Sequence, residues 1–360
     1  MENQKHNRDS ENNLHKEYMQ RCIDLAMLGH SYASPNPMVG AVIVHNNKII
    51  GEGWHRKHGE AHAEVNAINS VKNKTLLAES SVYVSLEPCA HFGKTPPCAT
   101  LIIKHKIPRV IIGCIDSFSK VSGKGIQILK EAGIEVVSGV LESRCRDLNK
   151  RFFWFHEKQR PYIILKWAQS SDGFIDKNRN ITTTDEAKPN WITSKTTKRL
   201  VHKWRSEEDA ILIGRKTAQN DNPSLTTRIW PGNNAIRLLI DKNGQISDDY
   251  HIKDDATKTI IISALEGHTK ANTSYMQMDF APLNLDQVLK NLYQKNVLSI
   301  IVEGGNTTLN AFIKENLWNE ARVLIGQKKF TTGLQAPTID KAFTEEKLNQ
   351  DFIRLYKNQL

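Results

Sequence analysis

No run of 18 apolar residues occurs in this 360-residue sequence, so no segment reads as a membrane-spanning helix. The opening residues, MENQKHNRDSENN, have no apolar core of the kind a secretory signal needs. We read residues 1–13 as a disordered lead. Cysteine is scarce: five residues, an odd number that no set of disulfides consumes. Cys22, Cys114 and Cys145 are scattered and read as buried thiols of a reduced, cytoplasmic protein. Internal repeats and low-complexity tracts are missing, as is a G-x-G-x-x-G dinucleotide fingerprint. The net charge of +10 would suit nucleic acid. There is, however, no long basic block and no basic stripe interleaved with aromatics, so no nucleic-acid partner is expected. Charge spread along the chain suits phosphorylated small substrates and a phosphorylated cofactor.

What is present is an ordinary globular composition at a length that exceeds one core, so two domains are expected. Helical spacing over 14–28 ends at Gly29. Apolar runs at 39–44 and 48–53 flank Asn46-Asn47, a hairpin signal. A helix is predicted over 60–71, a strand over 81–86 and a helix over 97–106 with Cys98 in its first turn, where Pro97 is tolerated. Strands at 109–115 and 134–137 flank a helix at 123–132. Such alternation implies an α/β layered domain. The charged, aromatic stretch 139–160 holds the junction, and the domains are set at 14–150 and 151–360. A second α/β series follows, with strands at 162–168, 209–214, 237–241, 259–263, 298–302 and 321–325. Its helices are predicted from a Ser194 cap to 206, and over 285–294 and 307–315. Residues 267–280 are expected to form an irregular connection.

The chemistry concentrates in residues 54–98, WHRKHGEAHAEVNAI, a spacer, then YVSLEPCAHFGKTPPC. Zinc favours imidazole nitrogen and thiolate, and a catalytic zinc keeps three protein ligands and one open position. His62, Cys89 and Cys98 supply three. Glu64, two residues from a ligand, is placed to move the protons of an activated water without binding the metal. His62-Ala63-Glu64 and Pro88-Cys89 match the zinc deaminase signature, but the second cysteine follows after eight intervening residues rather than two. A structural zinc site or two buried thiols is the plainer reading of such a triplet taken alone. A nucleic-acid base deaminase would carry the shorter cysteine spacing. Further on, 300–309 reads as strand, glycine turn and helix start, where backbone N–H groups can approach a phosphate. Two glycines by themselves mark only a turn.

Four motifs in order narrow the choice: Pro35-Asn36-Pro37-x-Val39-Gly40, Gly51-Glu52-Gly53-x-His55, His62-Ala63-Glu64-Val65, and Glu87-Pro88-Cys89-x-His91-x-Gly93-x-Thr95-Pro96-Pro97-Cys98. They resemble the bifunctional riboflavin-biosynthesis deaminase/reductase family. Leu165-Lys166, Ser170-x-Asp172-Gly173, Trp191-Ile192-Thr193, Asp209 to Gly214, Asp221-Asn222-Pro223-x-Leu225-Thr226-x-Arg228 and Val302-Glu303-Gly304-Gly305 resemble its reductase half. The resemblance spans roughly 14–327. It implies a cytidine-deaminase-like three-layer domain followed by a dihydrofolate-reductase-like α/β domain, with one zinc per chain and NADPH as cofactors. The implied substrate is a diaminopyrimidinone bearing a ribosylamino 5′-phosphate, first deaminated and then reduced at the ribosyl group. Asn36, His55, His91 and Lys94 would line the deaminase substrate site, Lys94 as a phosphate contact. Ala168, Trp191, Thr217, Asp221, Ser263 and Gly305 would contact NADPH. Arg205, Leu225, Arg228 and Glu303 would contact the reductase substrate, arginine suiting its phosphate. No general acid is assigned in this half, and a homo-oligomer is expected. One stretch departs from the family pattern: residues 182–190, where a serine expected near the substrate is replaced by Pro189 or displaced by an insertion.

Overall fold

In the computed structural model, residues 2–90, 96–116, 123–179, 183–267, 269–281 and 283–358 are described. The chain divides into two compact units, Met1–Lys158 and Gln159–Leu360.

The first unit runs α1 (Glu2–Met27), β1 (Gly40–His45), β2 (Lys48–Trp54), α2 (Ala63–Ser70), β3 (Ser81–Leu86), α3 (Cys98–Lys104), β4 (Arg109–Cys114), α4 (Lys124–Glu131), β5 (Glu135–Ser138), α5 (Glu142–Leu148) and α6 (Lys150–Lys158). Residues 1–13, read above as a disordered lead, are helical from Glu2 onward. The two helices α5 and α6 occupy the stretch read only as a junction. Five strands pair in the order β2-β1-β3-β4-β5. β1 is antiparallel to β2 and β3, whereas β3, β4 and β5 run parallel. Asn46 and Asn47 both adopt positive φ, as a two-residue hairpin matched to strand twist requires.

β1 is apolar and buried from Gly40 to Val44 because both faces of the sheet are covered. On one face Ala41, Ile43, Val82, Val84, Val110 and Ile112 meet α2 and α3 through Ala67, Ile68 and Ile102. On the other lies α1, so close that a Cβ on Gly40 would sit 2.0 Å from the Cys22 carbonyl oxygen. Helix, sheet, helix makes three layers, and α2 and α3 bring their first turns to one edge of the sandwich.

The second unit contains β6 (Tyr162–Gln169), β7 (Phe174–Asp176), α7 (Lys195–Ser206), β8 (Ala210–Gly214), α8 (Arg215–Asp221), β9 (Ile236–Ile240), β10 (Thr259–Ser263), β11 (Thr273–Gln277), α9 (Leu285–Gln294), β12 (Ser299–Gly304), α10 (Asn306–Lys314), β13 (Glu320–Ile325), β14 (Leu334–Gln335), β15 (Phe343–Leu348) and β16 (Asp351–Lys357). Nine strands pair in the order β11-β10-β9-β8-β12-β6-β13-β16-β15. All pairs from β11 to β13 are parallel, and β16 and β15 close the sheet antiparallel. The core packs α9 and α10, through Leu289, Leu292, Leu309 and Phe312, onto Leu165, Leu212 and Val302. In such a sheet ligands bind beyond the carboxyl ends of the strands. The segment read as irregular, 267–280, contains β11. It is an edge strand of mixed polarity, TSYMQ, and carries no buried-strand run to announce it.

Candidate active sites

His62 caps α2 in extended backbone and Glu64 sits in the first turn just inside. Cys98 opens α3, and Cys89 follows the end of β3 by three residues. Two helix starts and one strand end therefore converge. His62 Nδ1 lies 3.6 Å from Cys89 Sγ and 3.4 Å from Cys98 Sγ. The three donor atoms all lie within 4.8 Å of one another, the one such group among the described residues. The Cys98 backbone N–H donates to Cys89 Sγ at 3.3 Å. Hydrogen bonds from Cys98 and His62 outweigh burial and pull Cys89 down to about 4. Cys98, which shares its proton with Cys89 and is buried, is pushed up. The bond to Cys89 raises His62 to about 9. A divalent cation bound by these atoms would take the place of their protons.

Glu64 is buried, and its Oε2 has no partner among the described residues. Burial, with the Cys89 thiolate adding to it, pushes its carboxyl up to about 7. A buried polar atom without a partner calls for an explanation. A cation held by one nitrogen and two sulfurs, with water in its fourth position, supplies one. The residues present thus fit zinc.

Asn36 and His55 lie beside this cluster. Asn36 Nδ2 donates to His55 Nε2 at 3.1 Å, and His55 Nδ1 donates to the Ala61 carbonyl at 3.2 Å. The His55 ring stands edge-on to His62, centroids 5.5 Å apart, and burial lowers its pKa, so it stays neutral. His91 and Lys94 lie outside the described residues. Glu87, quoted in the cysteine motif without a role, proves to be a brace. Its carboxylate accepts the N–H groups of Asp116, Gly123, Gly125 and Ile126 at 3.3, 3.0, 2.9 and 3.2 Å. The residue two before Cys89 is thereby clamped to the start of α4.

In the second unit a pocket of about 370 Å³ opens at the carboxyl ends of β6, β8 and β12. Of the expected cofactor contacts, Ala168, Trp191, Thr217 and Asp221 line it. Ser263 and Gly305 do not. Ser263 is buried and donates to the Lys242 carbonyl. Gly305 precedes α10 with φ −79°, and a Cβ there would meet Thr217 Oγ1 at 2.9 Å. The left-handed backbone belongs instead to Gly304, at φ +129°. The glycine turn therefore packs behind the pocket's Thr217.

All four expected substrate contacts, Arg205, Leu225, Arg228 and Glu303, line the same pocket. Arg205 does not offer a free fork. Its Nε and Nη2 donate to the two Glu303 oxygens at 2.8 and 2.7 Å, and Lys166 Nζ approaches Glu303 at 3.3 Å. Burial pushes Glu303 up, but Arg205 and Lys166 prevail and hold it at about 2. Lys166 is lowered by burial despite Glu303, and Arg205 lowers it further. The two partners shift unequally because Arg205 holds the carboxylate by two short bonds and leaves Lys166 the weaker place in a triad of net positive charge. Arg228 and Lys198 form no ion pair with a carboxylate among the described residues. Burial lowers both, and neighbouring cations lower them further.

Lys166, Lys198 and His202 line this pocket and were given no role from sequence. The spacing 198, 201, 202, 205 along α7 is the signal that could have found the last two, since it places them on one helical face with Arg205. Asp221 is tied to Arg179 Nη2 at 2.7 Å, and Arg179 also donates to Asp176 and to the Lys188 and Asn220 carbonyls. Part of the stretch that departs from the family pattern is thereby stapled to the pocket rim, with Pro189 in the lining.

Residues 161–342 match the family model of the RibD C-terminal domain, and residues 12–114 that of the cytidine and deoxycytidylate deaminase zinc-binding region. The chain is 37% identical over 340 residues to the riboflavin biosynthesis protein RibD of Aquifex aeolicus, covering 93% of each. It is 37% identical to that of Bacillus amyloliquefaciens over 86% of this chain and 85% of the relative. A diaminohydroxyphosphoribosylaminopyrimidine deaminase/5-amino-6-(5-phosphoribosylamino)uracil reductase structure from Thermotoga maritima superposes with a TM-score of 0.87 at 32% identity, covering 96% of this chain and 99% of that one. The RibD structure from Acinetobacter baumannii gives 0.84 at 29% identity, over 97% and 100%.

Proposed function

Because this chain belongs to the RibD family, bifunctional deaminase/reductases of riboflavin biosynthesis with a cytidine-deaminase domain before a dihydrofolate-reductase-like α/β domain, we propose that residues 14–150 deaminate 2,5-diamino-6-(5-phosphoribosylamino)pyrimidin-4-one and residues 151–360 reduce the product with NADPH. The observation that carries the reading is the convergence of His62, Cys89 and Cys98 on a buried Glu64 whose Oε2 has no partner.

His62, Cys89 and Cys98 would hold the zinc, which when bound would lower the pKa of a water and polarise it for attack. Glu64 takes a proton from that water as its oxygen adds to the ring carbon bearing the exocyclic amine. The same carboxyl then returns the proton to the amine nitrogen, the C–N bond breaks and ammonia leaves, so one residue serves as base and then acid. A carboxyl poised near neutrality by burial suits both roles. The Asn36–His55 pair orients the ring from beside the metal ligands.

In the second unit NADPH, when bound, supplies hydride to C1′ of the ribosyl group. The C1′–O4′ bond breaks as C1′ receives it, and the electron pair left on O4′ needs a proton. Lys166 is the group assigned to give it: a buried ammonium whose pKa is lowered is a better acid than one in water. Glu303 holds Lys166 and Arg205 in place. Arg228 and Lys198 meet the 5′-phosphate, the two pocket cations with no carboxylate partner among the described residues. No helix of the described chain is long and apolar enough to cross a membrane, the five cysteines are free, and we place the activity in the cytoplasm.

The test is direct. Zinc-loaded protein is incubated with the diaminopyrimidinone phosphate, and the product is identified by mass. Without NADPH only exchange of the amine for oxygen is expected; with it, two further hydrogens appear. Absence of ammonia release sinks the deaminase reading, and absence of the hydrogenated product sinks the reductase reading.

A further inference from the structure

His202 sits in the middle of α7, buried, on the wall of the pocket at the carboxyl ends of β6, β8 and β12. Its Nδ1 accepts the backbone N–H of Arg228 at 3.1 Å. Resting on the reading of this unit as a phosphosugar reductase, we propose that His202 is a substrate-binding residue: an imidazole that donates its Nε2–H to a sugar or phosphate oxygen while its Nδ1 positions Arg228.

An imidazole nitrogen that accepts a backbone N–H carries no proton, so the ring's hydrogen is on Nε2 and that atom can only donate. Nε2 has no protein partner among the described residues, and the ring faces a cavity. Burial, then Arg205 and Arg228, push its pKa down to about 4, with Lys198 adding to the effect and Glu303 opposing it. The cations that would greet a phosphate thus also keep His202 neutral. Pro189, also in the lining, has no backbone N–H to donate. A neutral N–H among cations gives a sugar oxygen an orienting bond that a mobile ammonium would not.

Two isosteric changes separate its two bonds. His202→Asn puts an amide oxygen near the Nδ1 position and keeps the acceptor for Arg228, but loses the donor. His202→Gln puts an amide nitrogen near Nε2, keeping the donor and losing the acceptor. In full-length protein, His202→Asn is expected to raise the KM for the ribosylaminouracil phosphate about 10- to 100-fold, the loss of one hydrogen bond to a charged or strongly polar oxygen. The KM for NADPH and the deaminase rate should stay unchanged. His202→Gln should recover much of the substrate KM. Nitrogen-15 NMR of the ring reads the tautomer without turnover: a neutral Nε2–H form is expected at neutral pH, and an imidazolium or Nδ1–H form overturns the proposal. So does a wild-type substrate KM in His202→Asn. If the wild-type chain makes no reduced product, the reductase reading fails separately. Titration with ribose 5-phosphate then still decides His202, with equal affinity in wild type and His202→Asn overturning it.

Discussion

At the scale of the residue, the two sites share one device: a buried ionisable group set by its neighbours. Glu64 has no salt-bridge partner among the described residues, and burial is the largest influence on its pKa. Glu64→Gln is nearly isosteric and removes only proton transfer. Zinc content is expected to stay at about one per chain, while deamination falls about 10²- to 10⁴-fold. Elemental analysis and ammonia release check this, and loss of the metal would instead make Glu64 a ligand. Lys166→Met keeps length and apolar volume and removes the proton. Reduction should fall in kcat by a similar factor, with NADPH affinity, read by fluorescence titration, little changed. Glu303 illustrates the opposite case, a carboxyl that its cations hold at about 2 against an ordinary 4.5. Because the folded value lies below the unfolded one, the carboxylate's stabilisation is fully present above about 4.5 and is lost as pH falls towards about 2. Denaturant midpoints of the wild type should therefore decline through that window. Glu303→Gln, less stable at neutrality because Arg205 and Lys166 lose their partner, should lack that part of the decline.

At the scale of the element, what matters is where strands and helices begin and end. His62 and Glu64 are two apart, a spacing that does not share a helical face. They approach one site because His62 is the cap of α2, not a residue within it. Cys98 joins them from the first position of α3. Glu87 holds the connection between β3 and Cys89 by three backbone hydrogen bonds from the α4 start and a fourth from Asp116 just after β4, so the metal loop is fixed from outside the metal site. The glycine turn between β12 and α10 divides its work between two residues. Gly304 has a φ of +129° that side chains rarely adopt, and Gly304→Ala should cost about 1–3 kcal/mol of backbone strain. If the turn shapes the cofactor site, NADPH affinity falls tenfold or more. Gly305→Ala, at φ −79° and facing a rotatable hydroxyl, should be milder. Equal NADPH affinity for the two variants would remove the backbone argument.

At the scale of the whole molecule, the chain is two compact units, and the metal cluster and the pocket each fall wholly within one of them. Cys89→Ser in the full chain should lose most of its zinc and its ammonia release, yet reduce supplied ribosylaminouracil phosphate at close to the wild-type rate. Loss of both activities with fold intact, by mass analysis and circular dichroism, would show the halves to be coupled. The sequence by itself determined much of this. Short apolar runs such as 209–214 and 298–302 read as buried strands, and strands form there; His62, Cys89, Cys98 and Glu64 announce metal chemistry because few other functions use those residue types together. It was silent where local pattern is weak. The edge strand β11 and the C-terminal hairpin β15–β16 owe their form to neighbouring strands, and the polar run FTEEKL carries no signal of its own. It was also silent on partnership. Composition cannot tell that Arg205 is spent on Glu303, that Lys166 completes their triad, or that the N–H of Arg228 fixes the His202 tautomer, since each pair is far apart in sequence or joined through backbone. Those assignments depend on which strand ends lie side by side, and only the parallel order β8-β12-β6 brings Lys166 and Glu303 together.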